Sequence, residues 1–209
     1  MKGTADIFEG GKKLPVMEEF YSLQGEGYNM GKAAYFLRIG GCDVGCSWCD
    51  SKESWNADLF PPVAVDPIIE RAASTPAKTV VVTGGEPSNY PLSYLTTALK
   101  AKHVTTMIET SGVNKLTGTW DWICLSPKLF QPPVDDIFHQ ANELKIIIQR
   151  PSDFEWAERN AEKVWAGCML YLQPEWSVAN EIMDLVTHYV MEHPKWKVSL
   201  QSHKYMGIP

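Results

Sequence analysis

Short apolar segments recur along the chain, and turns rich in glycine, proline and polar residues separate them. Residues 79–83 are a typical segment, because every position holds threonine or valine, the β-branched types that favour strands. Several segments are apolar throughout, as strands covered on both faces of a parallel sheet are. We predict strands at residues 33–39, 79–83, 104–109, 122–125, 144–148, 169–172 and 197–200, and one more strand, or half of a hairpin, at residues 16–23.

Helical periodicity appears between these predicted strands. In residues 91–102, Leu92, Leu95 and Leu99 share one face, and Pro91 stands at the first helical position. Residues 152–164 begin with Ser-Asp-Phe-Glu, which is a capping-box pattern. We predict helices at residues 91–102, 152–164 and 177–193, and a short one at residues 68–73.

The alternation of strands and helices predicts the architecture. Strands joined through helices form parallel βαβ units, which are typical of α/β folds. The predicted helices are too few for a complete eightfold barrel. We therefore expect an α/β fold in which about six parallel strands form a partial, open TIM-like barrel with few helices. We also expect residues 1–209 to form a single domain.

Polar motifs directly follow the predicted parallel strands. The carboxyl ends of parallel strands meet at one edge of the sheet, where such folds place their active sites. One motif of this kind would be ordinary turn chemistry, whereas a motif after each strand predicts a functional site. The motifs lie at residues 40–42, 83–87, 109–112, 126–128, 149–150, 173–175 and 202–204.

Composition narrows the possible functions. Apolar residues make up 44% of the chain, but no apolar run reaches the length of a membrane span. The first residues lack the apolar core of a signal peptide, so we expect a cytoplasmic protein that does not bind a membrane. The net charge of −6 argues against a nucleic-acid binder, which needs a basic surface, and favours a small-molecule substrate.

Cys42, Cys46 and Cys49 form the most informative motif of the chain. Three clustered thiolates can hold three irons of a cubic iron–sulfur cluster and leave the fourth iron open. Zinc sites usually take two separated pairs of ligands, and five cysteines, an odd number, do not indicate a disulfide framework. Cys124 and Cys168 stand in apolar segments, so we interpret them as buried core thiols.

Three further features carry recognition chemistry. Gln24 and Glu26 combine an amide with a carboxylate, as the reading of a guanine-like edge requires. Arg38 lies among apolar residues, and its planar guanidinium suits a substrate carboxylate. The Gly-Gly-Glu motif at residues 84–86 is either a plain turn or a binding loop, whose glycines admit a zwitterion and whose carboxylate accepts from its ammonium.

Ser51 follows the cysteine motif directly, next to Asp50. In one interpretation the two residues form an Asx turn. In the other, the hydroxyl binds a hard cation such as Mg²⁺, which takes few protein oxygens. The sequence leaves both interpretations open. The five histidines show no metal-binding spacing, and His203 is the one for which we expect a role in the site.

The spacing Cys-x3-Cys-x2-Cys, with Trp48 before the last cysteine, resembles the signature of the radical S-adenosylmethionine (SAM) superfamily. Over nearly its whole length the chain resembles one family in this superfamily, the 7-carboxy-7-deazaguanine synthases. The motifs that carry this resemblance lie at residues 22–27, 42–51, 83–87, 109–112, 126–128, 172–175 and 203–209, together with Arg38.

The resemblance implies a reaction and its cofactors. The reaction is the ring contraction of 6-carboxy-5,6,7,8-tetrahydropterin to 7-carboxy-7-deazaguanine, with release of ammonia, in the biosynthesis of 7-deazapurines such as queuosine. The implied cofactors are a 4Fe–4S cluster, SAM and Mg²⁺. An electron donor such as flavodoxin or ferredoxin and a homodimer are implied as partners. The alternatives are a radical SAM activase that acts on a partner protein and a non-catalytic metal-binding module.

The resemblance also implies roles for single residues. Cys42, Cys46 and Cys49 would hold the cluster, and Ser51, where the family commonly has threonine, would hold Mg²⁺. The implied substrate contacts are Leu23, Gln24, Gly25, Glu26, Arg38, Thr83, His203 and Pro209. The implied SAM contacts are Trp48, Asp50, Gly85, Glu86, Ser126, Pro127, Lys128, Gln173 and Glu175.

Overall fold

A computed structural model describes residues 6–209, in which the strands form two sheets. Strands β1 (Lys13–Leu14) and β4 (Val63–Ala64) pair as a short antiparallel ribbon. The other strands form the central sheet: β2 (Val16–Leu23), β3 (Ala33–Ile39), β5 (Thr79–Gly84), β6 (Thr105–Thr110), β7 (Trp122–Leu125), β8 (Glu143–Ile148), β9 (Met169–Pro174) and β10 (Trp196–Val198).

The central sheet has eight strands in the order β10-β9-β8-β7-β6-β5-β3-β2. The seven strands from β10 to β3 run parallel. Strand β2 is antiparallel, because β2 and β3 form a hairpin in which Glu18 lies opposite Arg38. Within residues 6–209 the edge strands β10 and β2 do not pair with each other, so the sheet is open rather than a closed barrel.

Helices connect the parallel strands. The α-helices are α1 (Asp66–Ser74), α2 (Ser93–Ala101), α3 (Asp153–Ala161), α4 (Ala179–Glu192) and α5 (Ser202–Met206). Short 3₁₀ turns lie at Glu9–Gly11, Lys52–Ser54, Ala57–Leu59, Pro87–Asn89, Asp135–His139 and Trp176–Val178. Within residues 6–209, every helix falls short of the length and apolar character that crossing a membrane requires.

The predicted fold class is confirmed: the structure is an α/β fold with a mostly parallel, open sheet and few helices. It has seven parallel strands, where we expected about six. Each predicted strand is present, with its ends within two residues of the prediction. The segment at 16–23 is the outer strand of a hairpin, as one of our two interpretations had it.

The predicted helix starts were less accurate. Helix α2 begins at Ser93, so Pro91 precedes it rather than occupying its first position. The prediction of a capping box at the start of α3 was wrong, because Ser152 already has helical backbone angles and its side chain makes no capping hydrogen bond. Instead, Asp153 accepts from the backbone N–H groups of Gln149 and Arg150, at 2.9 and 3.0 Å.

The two faces of the central sheet have different characters. On β8, Leu144 and Ile146 are fully buried in the main apolar core, whereas Lys145 between them lines a cavity. Strand β6 repeats this arrangement, with Ile108 in the core and Glu109 in the cavity wall. Because successive side chains of a strand point to opposite faces, the same strands build the core and the polar site.

The loop between β2 and β3 depends on Gly27. Its φ angle is +62°, and its N–H donates to the hydroxyl of Ser199 at 2.9 Å. Beside it, the buried carboxylate of Glu143 accepts from the indole N–H of Trp122 at 3.1 Å and from the backbone N–H of Tyr28 at 3.3 Å. A Cβ on Gly27 would lie 1.8 Å from Glu143 Oε1, so the loop reaches this position only without a side chain there.

We expect Gly27→Ala to lower the free energy of unfolding by about 2–4 kcal/mol, since left-handed strain adds to overpacking against a buried carboxylate. Gly31→Ala is the matched control. Gly31 also has a positive φ, +82°, but an added Cβ would meet nothing within 4 Å. It should cost about 1 kcal/mol. Urea unfolding measures both variants, and equal losses would mean that the Glu143 contact is unimportant.

Candidate active site

A cavity of about 350 Å³ opens at the carboxyl ends of the parallel strands. The ends of β3, β5, β6, β8 and β9 form its wall, together with the segments that follow β7 and β10. The β2–β3 loop completes it. The predicted convergence of polar motifs therefore holds for all of them except residues 149–150, which do not line the cavity.

The site residues named from the sequence lie around this one cavity, with a single exception. Pro127 does not line it, although its neighbours Ser126 and Lys128 do. The cysteine motif, the β2–β3 loop and residues of the segment 203–209 therefore line the same cavity. Their separate roles toward cluster, SAM and substrate remain predictions.

The cysteine loop packs closely on the end of β5. The N–H of Gly85 donates to the carbonyl of Ile39 at 2.7 Å, and the N–H of Glu86 donates to the carbonyl of Gly41 at 2.9 Å. A Cβ on Gly85 would lie 2.3 Å from the Gly41 oxygen, and one on Gly84 would lie 2.2 Å from the Ile39 oxygen. The glycine pair is thus required for packing the cysteine loop, whatever it contributes to binding.

Cys42, Cys46 and Cys49 all line the cavity, and the N–H of Cys49 closes a turn onto the carbonyl of Cys46 at 3.0 Å. Burial raises the pKa of Cys42, and it raises that of Cys46 to about 11. A cysteine binds a metal as the thiolate, not as the thiol. These thiols therefore need a positive centre, such as iron, to replace their protons.

The three cysteines fit a cluster better than a single metal ion. Within residues 6–209, no three cysteine, histidine or carboxylate side chains converge as the ligands of one ion would. In a cubic cluster each thiolate binds a different iron, so the sulfurs stand further apart than around one zinc. Cys124 on β7 and Cys168 next to β9 are buried, as predicted, and do not line the cavity.

Trp48, Ser126 and Lys128 form one patch of the wall. Lys128 Nζ donates to the carbonyl and to the hydroxyl of Ser126, at 2.7 Å each, and lies 5.3 Å from the centre of the Trp48 ring. Burial lowers the pKa of Lys128. The patch offers an aromatic face, a hydroxyl and a cation side by side, which suits a nucleoside that carries a carboxylate.

Glu86 is buried, and both of its carboxylate oxygens already have partners. Oε1 accepts from the N–H of Ser88 at 2.9 Å and from the hydroxyl of Thr110. Oε2 accepts from the N–H of Ser111 at 2.8 Å and from the hydroxyl of the same residue. A carboxylate has about four accepting sites, so an incoming ammonium must displace one hydroxyl. In the structure Glu86 fastens the motif at 109–112 to the loop after β5.

Glu109 is a cavity residue that the sequence analysis did not identify as part of the site. Its Oε1 accepts from the amide of Gln24 at 2.9 Å, and its Oε2 accepts from the hydroxyl of Thr83 at 3.1 Å. Two predicted substrate contacts are thereby tied to one carboxylate. The sequence feature that could have identified Glu109 is its position at the end of β6, in one of the polar motifs that follow the parallel strands.

Lys145 is the second residue that was missed. Its side chain is only 6% exposed and forms an ion pair with Glu26 Oε2, while Gln201 Nε2 donates to Glu26 Oε1 at 2.9 Å. Burial alone would raise the pKa of Glu26, but Lys145 and Gln201 lower it to about 2. Burial alone would lower the pKa of Lys145, but the charge of Glu26 holds it well above its usual value. Both groups are therefore ionised. The sequence feature that could have identified Lys145 is a lysine inside the apolar run at residues 144–148.

Arg38 reaches from β3 toward the cysteine loop. Its Nε donates to Glu18 Oε1 at 2.6 Å, across the hairpin, and its Nη1 donates to the hydroxyl of Ser51 at 3.0 Å. A guanidinium has five N–H donors, so three remain after these two bonds. Arg38 lines the cavity and can direct them at an anionic ligand.

Residues 199–209 pack against the β2–β3 loop. The N–H and the hydroxyl of Ser202 donate to the carbonyl of Gly25, at 2.9 and 2.8 Å. Gln201 Nε2 also donates to Asp50 Oδ2 at 3.1 Å. A Cβ on Gly25 would lie 2.1 Å from His203 Nδ1, so this glycine makes room for the histidine. The segment thus connects the β2–β3 loop with Asp50, directly after the cysteine motif.

Gln173 and Glu175, predicted to contact SAM, both have protein partners. Gln173 Oε1 accepts from the hydroxyl of Ser199 at 2.7 Å. Glu175 accepts from the N–H and the hydroxyl of Ser177, at 3.0 and 2.5 Å, and so caps the 3₁₀ turn at Trp176–Val178. Both side chains line the cavity, and their contact with a nucleotide remains a prediction.

Comparison with known proteins identifies the class to which this protein belongs. The family model described as the Radical SAM superfamily matches residues 37–164, so the protein is a radical SAM protein. The 7-carboxy-7-deazaguanine synthase of Flavobacterium psychrophilum is 55% identical over 96% of this chain and 95% of its own. The protein of the same name from Synechocystis is 44% identical over 93% of both chains.

A solved structure agrees with these relatives. The crystal structure of QueE from Escherichia coli matches 96% of this chain and 100% of its own, with a TM-score of 0.81 and 29% identity. The chain belongs to the 7-carboxy-7-deazaguanine synthase family.

We expect Cys46→Ala to abolish the bound cluster, because only two thiols then remain in the cavity. Cys124→Ala is the control. It removes a buried thiol from β7, so it should lower stability by about 1 kcal/mol and leave the cluster intact. Iron and sulfide content after anaerobic reconstitution, together with the visible absorption spectrum, measures the cluster. A folded Cys124→Ala protein without a cluster would contradict the assignment to Cys42, Cys46 and Cys49.

Proposed function

We propose that the protein converts 6-carboxy-5,6,7,8-tetrahydropterin to 7-carboxy-7-deazaguanine and releases ammonia, in the biosynthesis of 7-deazapurines such as queuosine. The observation that carries this proposal is a single cavity in which three cysteines lie together with the Arg38 guanidinium and the Glu26 carboxylate. Membership of the 7-carboxy-7-deazaguanine synthase family supports the same reaction.

The cofactors are a 4Fe–4S cluster on Cys42, Cys46 and Cys49, and SAM. Bound together there, they would supply the radical chemistry that removes hydrogen from C6 of the substrate. The patch of Trp48, Ser126 and Lys128 suits the adenosine and carboxylate of SAM. We assign the remaining contacts with SAM to residues of the same wall, namely Asp50, Gly85, Glu86, Gln173 and Glu175, and leave Pro127 out.

Arg38 and Glu26 bind opposite ends of the substrate in this proposal. Arg38 offers its remaining N–H donors to the 6-carboxylate, and Glu26 accepts from the N–H groups of the pyrimidine edge. Arg38 is bonded to Ser51, which lies just after Cys49. The carbon that carries the carboxylate, C6, is thereby held on the cysteine side of the cavity. We assign the other substrate contacts to Leu23, Gln24, Gly25, Thr83, His203 and Pro209.

Mg²⁺ at Ser51 is the part of the proposal with the weakest ligand set. The Ser51 hydroxyl is one neutral ligand, and it lies 3.0 Å from a nitrogen of the Arg38 guanidinium. A divalent cation beside that positive group needs an anionic ligand as well. In this proposal the substrate carboxylate provides it, since the Asp50 carboxylate already accepts from Gln201. Mg²⁺ and substrate should therefore bind cooperatively.

Two partners belong to the proposal on the strength of the family resemblance. The first is an electron donor such as flavodoxin or ferredoxin, because the cluster would have to be in its reduced state to cleave SAM. The second is another copy of this chain in a homodimer. The activase alternative is not favoured, because a protein substrate would not require the Arg38 and Glu26 groups that this cavity contains.

Anaerobic turnover with SAM, a reductant and 6-carboxytetrahydropterin tests the function. We expect Arg38→Ala to lower kcat/KM by about 100-fold or more, since two charge-assisted hydrogen bonds are lost. Its affinity for SAM should stay unchanged. The matched control is Arg150→Ala, which removes an exposed arginine outside the cavity and should leave kcat/KM unchanged. If SAM affinity falls in step with turnover, Arg38 belongs to the SAM half of the site.

The cation is tested by binding measurements without turnover. Mg²⁺ should increase the affinity for 6-carboxypterin, the oxidised and unreactive analogue, about tenfold or more, and the increase should be lost in Ser51→Ala. The affinity for SAM should not respond to Mg²⁺. Calorimetric titration with and without the cation gives both numbers. An unchanged affinity for the pterin after exhaustive chelation would exclude the cation from the substrate site.

A further inference from the structure

The ammonium of Lys145 has donors to spare. Of its three N–H groups, the ion pair with Glu26 Oε2 uses one. Within residues 6–209, this nitrogen donates no second hydrogen bond to a protein acceptor. The side chain is 6% exposed and lines the cavity, so the unused donors face the space that a ligand occupies.

Gln201 donates to the other carboxylate oxygen of Glu26, but it has no unused N–H donor. Its side-chain amide has two N–H groups. One donates to Glu26 Oε1 at 2.9 Å, and the other donates to Asp50 Oδ2 at 3.1 Å. Of the two groups beside the Glu26 carboxylate, Lys145 is therefore the one that can donate to a ligand.

The pyrimidine edge of a pterin matches this arrangement, given the function proposed above. It presents the 2-amino group, N3–H and the 4-oxo oxygen in a row, which is donor, donor, acceptor. A carboxylate can accept from the two donors with its two oxygens. The acceptor then falls next to the carboxylate oxygen that accepts from N3–H, and a donor is needed at that point.

We propose that Lys145 is a specificity-determining residue, which donates to the 4-oxo oxygen of the pterin while Glu26 accepts from N3–H and the 2-amino group. The site then selects a 2-amino-4-oxopyrimidine ring. Lys145 and Glu26 together present one donor and two acceptors to the ring. The ion pair between them fixes the position of the donor beside the acceptors.

The same pair rejects adenine-like rings. An amino group in place of the 4-oxo oxygen points N–H donors at an ammonium that has no lone pair to accept them. It also removes the proton from the neighbouring ring nitrogen, which then faces the carboxylate with a lone pair. SAM itself carries an adenine, so the pair keeps the cofactor's ring out of the substrate half of the cavity.

Binding of two unreactive ligands tests the proposal. The first is 6-carboxypterin, and the second is its 4-thioxo analogue, which keeps N3–H but offers a weakly accepting sulfur. Affinities are measured by fluorescence titration, with SAM bound and no reductant. We expect the wild type to prefer the oxo ligand about tenfold or more. Lys145→Met should bring the ratio close to one, whereas Lys145→Arg, which keeps a charged donor, should preserve it.

Lys204→Met is the matched control, because it removes a cavity lysine that pairs with Asp50 rather than with Glu26. It should leave the oxo-to-thioxo ratio unchanged. A merely structural role of Lys145 would weaken both ligands equally, so an unchanged ratio in Lys145→Met would overturn the proposal.

Wild-type protein alone provides a second test, should Lys145→Met fail to fold. Equal affinity of the wild type for the two ligands would overturn the role of Lys145 and leave the proposed reaction standing. Failure of the wild type to bind either pterin would instead overturn the proposed substrate, and this proposal with it.

Discussion

The buried ion pair between Lys145 and Glu26 joins the three parts of the molecule that make the site. Lys145 belongs to β8, Glu26 to the β2–β3 loop, and Gln201, bound to the same carboxylate, to the segment after β10. A buried ion pair stabilises little by itself, because desolvation offsets most of the attraction. The pair matters because it fixes how these three parts are placed. Without its partner, Glu26 or Lys145 would be an isolated buried charge, so the loop, the strand and the segment have to take one relative position.

The charge balance around this pair explains how the cavity tolerates so many carboxylates. Glu26, Glu109 and Glu143 lie close enough to influence Lys145, whose positive charge offsets part of their negative charge. Burial raises the pKa of Glu143, which favours its neutral form, whereas Lys145 keeps Glu26 ionised. The inner face of the sheet can hold this polar cluster because the opposite face supplies the apolar core, with Ile108, Leu144 and Ile146 fully buried there.

The sequence predicts well what depends on local pattern. The β-branched run at 79–83 and the spacing of Cys42, Cys46 and Cys49 determine a strand and a ligand set within a few residues of chain. The rim location of the site follows from parallel topology alone. Long-range pairing is a different matter: Lys145 and Glu26 stand 119 residues apart, and no local pattern connects them. Gly84 and Gly85, at the end of β5, show the same limit, because their close approach to the backbone of Ile39 and Gly41 is visible only in three dimensions.

The contact of Ser202 with Gly25 has a consequence for how the molecule folds. The two residues are separated by 177 positions, which is most of the chain, so their contact can form only after nearly all of the intervening sheet is available. During synthesis the β2–β3 hairpin emerges early, and its Gly25 carbonyl and Glu26 carboxylate stay without their last partners until residues 201 and 202 have been added. The parallel sheet can assemble strand by strand in the meantime, since its spatial order follows the order of the chain. The cavity is therefore completed last, when the segment after β10 reaches the loop that emerged first.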